Sequence, residues 1–328
     1  MKPTATAIKL VSLVLGAAVT ATTFSACSQP KATETTGAEA VTVNNCGKTT
    51  TFTTPPMKVL SLGVSGRAYL YAAGAKDKII ARANEHGEPA ASWMKGGADD
   101  IKIAADADMS VEGVIGLQPD LVYGGEFSSS QLPPERLVEK GIPAVVDQPE
   151  CHYLYSDQKQ DESFDAILAE VSQLGKILGT SDKAEAQVAT LRRELDRLAK
   201  EKPGAGRKVA FAYYFGEEEG LYSYGEAGVM GDMMKSLDLK TAVDPSYHPH
   251  QGPIAPEAFV KSDADLIVVL LGMGGATKES TMQRLQAIPG FNDMKAVKEG
   301  KVFYAESAIA YASPTAIHGA IDLASQIK

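Results

Sequence analysis

The chain reads as an α/β protein: two doubly wound α/β lobes joined by one long backbone helix. Three observations predict this. Strand and helix signals alternate through residues 59–147 and again through 208–327, the pattern of parallel sheets covered by helices. Between the two series lies Ser181–Lys200, whose apolar residues Ala184, Val188, Leu191, Leu195 and Leu198 fall at steps of four, three, four and three. That is one narrow helical stripe. Finally, the two series share a phrase. Ser110-Val111-Glu112 precedes Pro119-Asp120-Leu121-Val122, and Ala255-Pro256-Glu257 precedes Ala264-Asp265-Leu266-Ile267, with the Glu eight residues before the Asp in both.

The elements follow in order. Thr42–Phe52 is β-rich with a central Asn-Cys-Gly turn and reads as a hairpin that Pro55-Pro56 ends. Val59–Gly63, Lys78–Ala83, Asp120–Tyr123 and Ala144–Asp147 are strand-like, with helical Arg67–Ala73 and Pro133–Lys140 among them. Asp161–Leu178 carries a helical stripe from Phe164 to Leu178, and Gly179 stops it. The long helix comes next. Ser181 or Asp182 can cap it, Arg192/Asp196 and Asp196/Lys200 sit at supportive spacing, and Lys202-Pro203-Gly204 ends it. Its twenty residues reach roughly 30 Å, about the width of a small domain. It is expected to be a rigid strut between lobes, with a surface helix of a single domain as the alternative. The alternation then restarts with strands Lys208–Phe215, Leu221–Tyr224, Asp265–Leu271 and Lys301–Ala305 and helices Met230–Leu237, Met282–Ile288 and Thr315–Ile327. The expected segments are residues 41–180, 181–200 and 201–328.

The 328 residues suffice for two domains and a large core. Hydrophobic content of 44% and charged content of 22% are those of a globular protein. A net charge of −9 argues against nucleic acid and gives no help on an anionic membrane surface. At the start, Lys2 and Lys9 precede the apolar run Leu10–Val19, too short to span a bilayer. Small residues then lead into Cys27, which looks like a bacterial lipoprotein cleavage site. This implies a signal peptide removed before Cys27, residues 1–27 as the export and lipidation segment, and lipid on the Cys27 thiol. An ordinary secretory signal is the alternative, and both place the protein outside the cytoplasm. Residues 28–40 are polar and rich in Thr and Ala, a flexible tether of about 20 Å. Cys46 and Cys151 remain. In an oxidising compartment they form a disulfide that staples the N-terminal segment to the first lobe, or else stay as two buried thiols.

Three stretches carry a resemblance: Asn45-Cys46-Gly47-Lys48 through Pro55-Pro56-Met57-Lys58-Val59-Leu60-Ser61-Leu62, Glu112-Gly113-Val114-Ile115-Gly116-Leu117-Gln118-Pro119-Asp120-Leu121-Val122, and Ala296-Val297-Lys298-Glu299-Gly300-Lys301-Val302-Phe303. They are similar to motifs of the solute-binding lipoproteins of ABC importers for ferric siderophores, haem and cobalamin. The resemblance implies two lobes on a helical backbone, a small-molecule ligand in the cleft, and one exposed Glu per lobe that meets arginines of the ABC permease. Glu112 and Glu257 match those positions. For these residues alone, a Glu in a first helical turn also complements the helix dipole.

Ligands of open α/β sheets bind beyond the carboxyl ends of strands. The loops there offer His86, Tyr153, Tyr214, Tyr247 and His248 as groups that can complete iron coordination or hydrogen-bond a chelator. Arg67 and Arg82 could pair with an anionic chelate. Glu217-Glu218-Glu219 points the other way, since an acidic rim favours cations; a solvated turn is its plainer reading. The function expected is capture of an iron chelate, a ferric siderophore before haem or cobalamin, for delivery to a permease. The protein would be a monomer, held to the membrane by lipid alone on the outer face of the plasma membrane or in the periplasm. It would hold no covalent cofactor or metal of its own. A competing class is a metal-dependent hydrolase built on His248-Pro249-His250. The chain has no His-Glu-x-x-His helix and no Gly-x-Ser-x-Gly elbow. A passive adhesion module is a third class.

Overall fold

The structure, a computed structural model, describes residues 40–95, 99–127, 132–159, 161–215, 219–244, 249–272 and 275–328. Cys27 and tether residues 28–39 lie outside this set, as do Tyr247, His248, Glu217 and Glu218.

The chain opens with the expected hairpin, β1 (Val41–Asn45) and β2 (Lys48–Phe52), paired antiparallel. β3 (Val59–Leu62), β4 (Ile79–Ala83), β5 (Ile103–Ala105), β6 (Leu121–Gly124) and β7 (Ala144–Val146) form a parallel sheet in the order β5-β4-β3-β6-β7. Helices α1 (Gly63–Ala72), α2 (Val111–Leu117), α3 (Pro134–Glu139) and α4 (Cys151–Leu154) lie between and after its strands. β5 and α4 are too short to give a periodic signal. Cys46, in the hairpin turn, is joined to Cys151 at the start of α4, with Cα atoms 5.1 Å apart. Asn45 adds a second tie. Its Nδ2 donates to the Val146 carbonyl (2.7 Å) and its Oδ1 accepts from the Val146 amide (2.9 Å). One buried side chain thereby continues the hydrogen-bond ladder past edge strand β7.

Helices α5 (Phe164–Leu178) and α6 (Ser181–Glu201) follow. Ser163 caps α5 through a bond from Ala166 N, and Gly179 ends it at φ 66°. The long helix forms where expected, but its ends differ in detail. Thr180 stands at the N-cap without a side-chain bond, and the ion pairs are Arg197 with Glu194 and Glu201, and Arg192 with Asp165 of α5. Nor is it a lone strut. Gly175 of α5 meets Ala184 of α6 so closely that a Cβ on Gly175 would lie 2.4 Å from the alanine methyl. The backbone of the molecule is therefore a helical hairpin.

The second sheet uses β8 (Lys208–Ala212), β10 (Lys240–Thr241), β12 (Leu266–Leu271) and β13 (Val302–Glu306), parallel in the order β10-β8-β12-β13. β9 (Tyr222–Tyr224) and β11 (Gln251–Pro253) pair antiparallel beside it. α7 (Gly228–Ser236), α8 (Pro256–Val260), α9 (Lys278–Gln286), α10 (Lys295–Lys298) and α11 (Pro314–Ile327) complete the chain. The repeated phrase has a shared structural role. Asp120 accepts from Lys58 N (2.7 Å) just before β3, and Asp265 accepts from Lys208 N (2.9 Å) at the start of β8. In each sheet this carboxylate clamps two neighbouring parallel strands at their amino ends.

One continuous core lies between the sheets. It joins Val59, Tyr69 and Leu121 to Ile167 and Leu174 of α5, Leu191 of α6, Met233 of α7, Leu323 of α11, and Phe211 and Val268 of the second sheet. Each sheet also has its own outer cluster, around Leu60 and Val122 in the first and around Phe259 and Ile267 in the second. The two halves are welded along a common interior rather than hung on a rod, so large rotations would expose core.

Candidate functional site

A cavity of about 430 Å³ opens at the carboxyl ends of the strands, with walls from both sheets. The first sheet contributes Val64 and Ser65 after β3, Asn84 to Glu88 after β4, Glu126 after β6, and Asp147, Pro149, Glu150 and Tyr153 after β7. Glu162, just before α5, joins them. The other wall holds Phe215, Tyr224, Val229, Met230, His250, Gln251 and Tyr311. Strand order reverses between β3 and β6, and such switch points are where doubly wound sheets hold ligands. Gly124 makes this end possible: at φ 141°, a Cβ there would lie 2.0 Å from the Leu62 carbonyl oxygen.

The floor is polar and buried. Asp147 accepts from Ser65 Oγ at 2.8 Å. Burial, then the neighbouring Glu150 charge, pushes its carboxyl well above the usual range despite that bond. Glu88 bridges the lobes, accepting from Tyr311 Oη (2.7 Å) and Ser307 Oγ (3.2 Å), and burial pushes it up as well. Beside it, Ser92 donates twice to Glu306, by Oγ at 2.6 Å and by its amide at 3.1 Å. Trp93 stacks on His318 with centroids 4.3 Å apart and donates to Thr315 Oγ1. Residues 88–93 thus strap the first lobe to β13 and α11 behind the cavity. Trp93 itself is outside the cavity wall.

His86 and Tyr153 meet expectation in position. Both side chains line the cavity, 53% and 61% exposed, and His86 lies 3.7 Å from Glu126. Arg67 and Arg82 do not. Arg67 is 0% exposed, its Nε 3.0 Å from Glu85 Oε1 and its Nη1 3.6 Å from Asp99. Arg82 also bonds Glu85 and donates by Nε to Ile101 O at 3.1 Å. These cations are spent on a buried ion cluster that pins residues 99–101 against β4; they offer no clamp to a chelate. Tyr214 is corrected too: it is buried in the outer cluster of the second sheet, with the Arg284 guanidinium 3.6 Å above its ring. Tyr247 and His248 lie outside the described residues.

Sequence reasoning missed the sign of the wall. Six carboxylates line it, Glu85, Glu88, Glu126, Asp147, Glu150 and Glu162, with two histidines, His86 and His250, and no Lys or Arg among the described wall residues. The order Asn84-Glu85-His86-Gly87-Glu88 directly after a strand was the available signal. Among the described residues, no three His, Cys, Asp or Glu side chains converge as a metal site. Glu112 and Glu257 stand exposed in the first turns of α2 and α8.

The chain belongs to the periplasmic binding protein family, whose profile matches residues 59–309. It is 22% identical to an uncharacterised ABC transporter substrate-binding lipoprotein, YvrC, of Bacillus subtilis, over 83% of this chain and 80% of that one. In fold it is similar to a periplasmic binding protein of Veillonella parvula (TM-score 0.71, 18% identity, 88% of this chain and 97% of that one). A second similar structure is that of an ABC-type Fe3+-hydroxamate transport system of Saccharomonospora viridis (TM-score 0.68, 20% identity, 88% and 98%). Family and relatives are solute-binding proteins of ABC transporters, which work outside the cytoplasm with a permease and a small-molecule ligand. Among the described residues no helix is long and apolar enough to cross a membrane.

Proposed function

We propose that the protein captures a ferric siderophore-type chelate in the interlobe cavity and delivers it to an ABC permease. The supporting observation is the cavity itself. It sits at the strand ends of both sheets and has polar groups and aromatic faces, Tyr153, Phe215, Tyr224 and Tyr311, while among the described residues no three His, Cys, Asp or Glu converge on a bare ion. Such walls suit a chelate that brings its own coordination sphere. In this reading the signal peptide is cleaved before Cys27, lipid on Cys27 anchors the protein to the outer face of the membrane or in the periplasm, and residues 28–40 tether it. Glu112 and Glu257, one on each lobe, meet basic residues of the permease. The working form is a monomer without a covalently held cofactor.

Calorimetric titration of the chain from residue 28 onward against ferric siderophores, haemin and cobalamins tests the ligand. Saturable binding of a ferric siderophore is expected, with haemin and cobalamins weaker. A Soret shift on adding haemin, with no siderophore binding, overturns the siderophore assignment. For docking, Glu112→Ala with Glu257→Ala should abolish uptake in cells while leaving ligand affinity unchanged.

A further inference from the structure

The wall residues that follow β7 stand on a segment that the amino-terminal hairpin holds from behind. Asp147, Pro149, Glu150 and Tyr153 all line the cavity. Between residues 148 and 158 the backbone makes single turns, with Glu150 N donating to Asp147 O at 3.0 Å, and Tyr155 N to Cys151 O and Gln158 N to Tyr155 O at 2.9 Å. A single turn fixes several dihedrals for one bond and is marginal by itself. The hairpin supplies the further ties. Its body is anchored first, because Val43 and Phe52 are buried in the shared core. Its turn then meets the segment at Val146, Cys151, Tyr155 and Gln158. Asn45 exchanges both amide bonds with Val146. Cys46 is joined to Cys151, and both are buried. Lys48 donates to Tyr155 Oη at 3.0 Å and to Glu135 of α3, which also accepts from Tyr155. Gln158 lies over the hairpin turn, where a Cβ on Gly47 would sit 3.1 Å from its Nε2. These ties bracket every wall residue of the segment.

We infer that the hairpin sets the affinity of the cavity: Asn45, Cys46 and Lys48 are positioning residues that hold the Pro149–Tyr153 wall in its ligand-ready arrangement. They act through that segment, since none of the three lines the cavity. This inference rests on the reading of the site as a chelate cleft. A wall ordered before the ligand arrives spares the complex the cost of ordering it. A wall freed from the hairpin and in place only about one-tenth of the time lowers the apparent affinity about tenfold.

The test compares the parent with Cys46→Ala/Cys151→Ala and with Asn45→Ala, a milder break that keeps the disulfide. Leu285→Ala, in the outer cluster of the second sheet, is the control that destabilises the fold without touching the hairpin. Ferric desferrioxamine B, haemin and cyanocobalamin are titrated by calorimetry at a temperature where melting curves show each variant folded. For whichever probe the parent binds, the double variant should bind about tenfold more weakly. Asn45→Ala should move in the same direction, and Leu285→Ala should stay near the parent. Hydrogen–deuterium exchange without ligand is the second readout. Residues 147–158 should exchange faster in both hairpin variants, while β3 and β6 keep their protection. Should the double variant not fold, Asn45→Ala decides by the same two readouts. Unchanged affinity in the hairpin variants, an equal loss in Leu285→Ala, or unchanged exchange in residues 147–158 overturns the positioning role and leaves the chelate reading standing. If no probe binds the parent, the chelate-cleft reading falls, and this inference with it.

Discussion

Glu170 gives the sharpest stability test. It sits in the middle of α5, buried in the shared interior, and its Oε1 accepts from Tyr123 Oη at 3.0 Å. Burial drives its carboxyl from 4.5 up to about 7. The folded state therefore holds a proton that the unfolded chain has lost. Stability from this group is full below the unfolded value and drains away as pH rises through about 7. At about 1.4 kcal/mol per pH unit, complete ionisation costs the fold about 3 kcal/mol. Most of that, about 2–3 kcal/mol, is lost between about pH 5 and about pH 8. Glu170→Gln keeps an acceptor for the Tyr123 hydroxyl and removes the charge. Asp147 is pushed in the same direction, and the Glu170 charge contributes to that push, so removing it adds to the effect with the same sign. The assay is a set of melting curves for both proteins across this range. The variant should match the parent near pH 5 and exceed it by roughly 3–5 °C near pH 8. Parallel curves at every pH would refute the argument.

Other expectations follow from the same structure. Reducing Cys46–Cys151, or replacing both with Ala, should cost up to about 4–5 kcal/mol by the chain-entropy model, read as a drop in the urea midpoint; no change would mean that Asn45 alone holds the hairpin. Burial pushes His318 down to about 4, so its contribution is intact above about 6.5 and lost as pH falls toward 4. His318→Phe should keep the stack on Trp93 and remove about 1–2 kcal/mol of acid sensitivity near pH 5, measured by thermal melting. Because one core spans both sheets, small-angle scattering with and without a bound chelate should show nearly the same radius of gyration, whereas a hinge rotation of tens of degrees would contradict the weld. Trp93 emission should respond to Glu306→Gln, which loosens the Ser92 strap, more than to ligand; strong static quenching by ligand would place the indole in the cavity instead.

Much of the fold was legible because it rests on repetition. The alternation of strands and helices, the Glu-to-Asp phrase and the stripe from Ala184 to Leu198 are local patterns that tertiary packing reinforced. The partnership of α5 with α6 was not legible. It depends on Gly175 being bare opposite Ala184, and a single glycine inside a helical stripe does not announce what it faces. Strands β5, β10 and β11 were also beyond reach. Each is two or three residues long, formed by pairing rather than by propensity.

The site was legible in position but not in charge, and the reason is physical. Arg67 and Arg82 follow strands β3 and β4 or lie on them, as ligand-facing cations would, so position alone assigned them to the cavity. What decides their role is Glu85, three residues after Arg82. A buried carboxylate that close to two guanidiniums is stabilised by both, and breaking the set would leave an uncompensated charge in the interior. The arginines therefore turn away from the cavity, and the acids that follow the same strand remain in the wall. Sequence order shows which residues can reach a strand end; the partners available behind the sheet determine which of them face the ligand. Here those partners turn Arg67 and Arg82 away and leave acidic residues in the wall, an outcome that the order Asn84-Glu85-His86-Gly87-Glu88 signals but that only the packing behind the sheet decides.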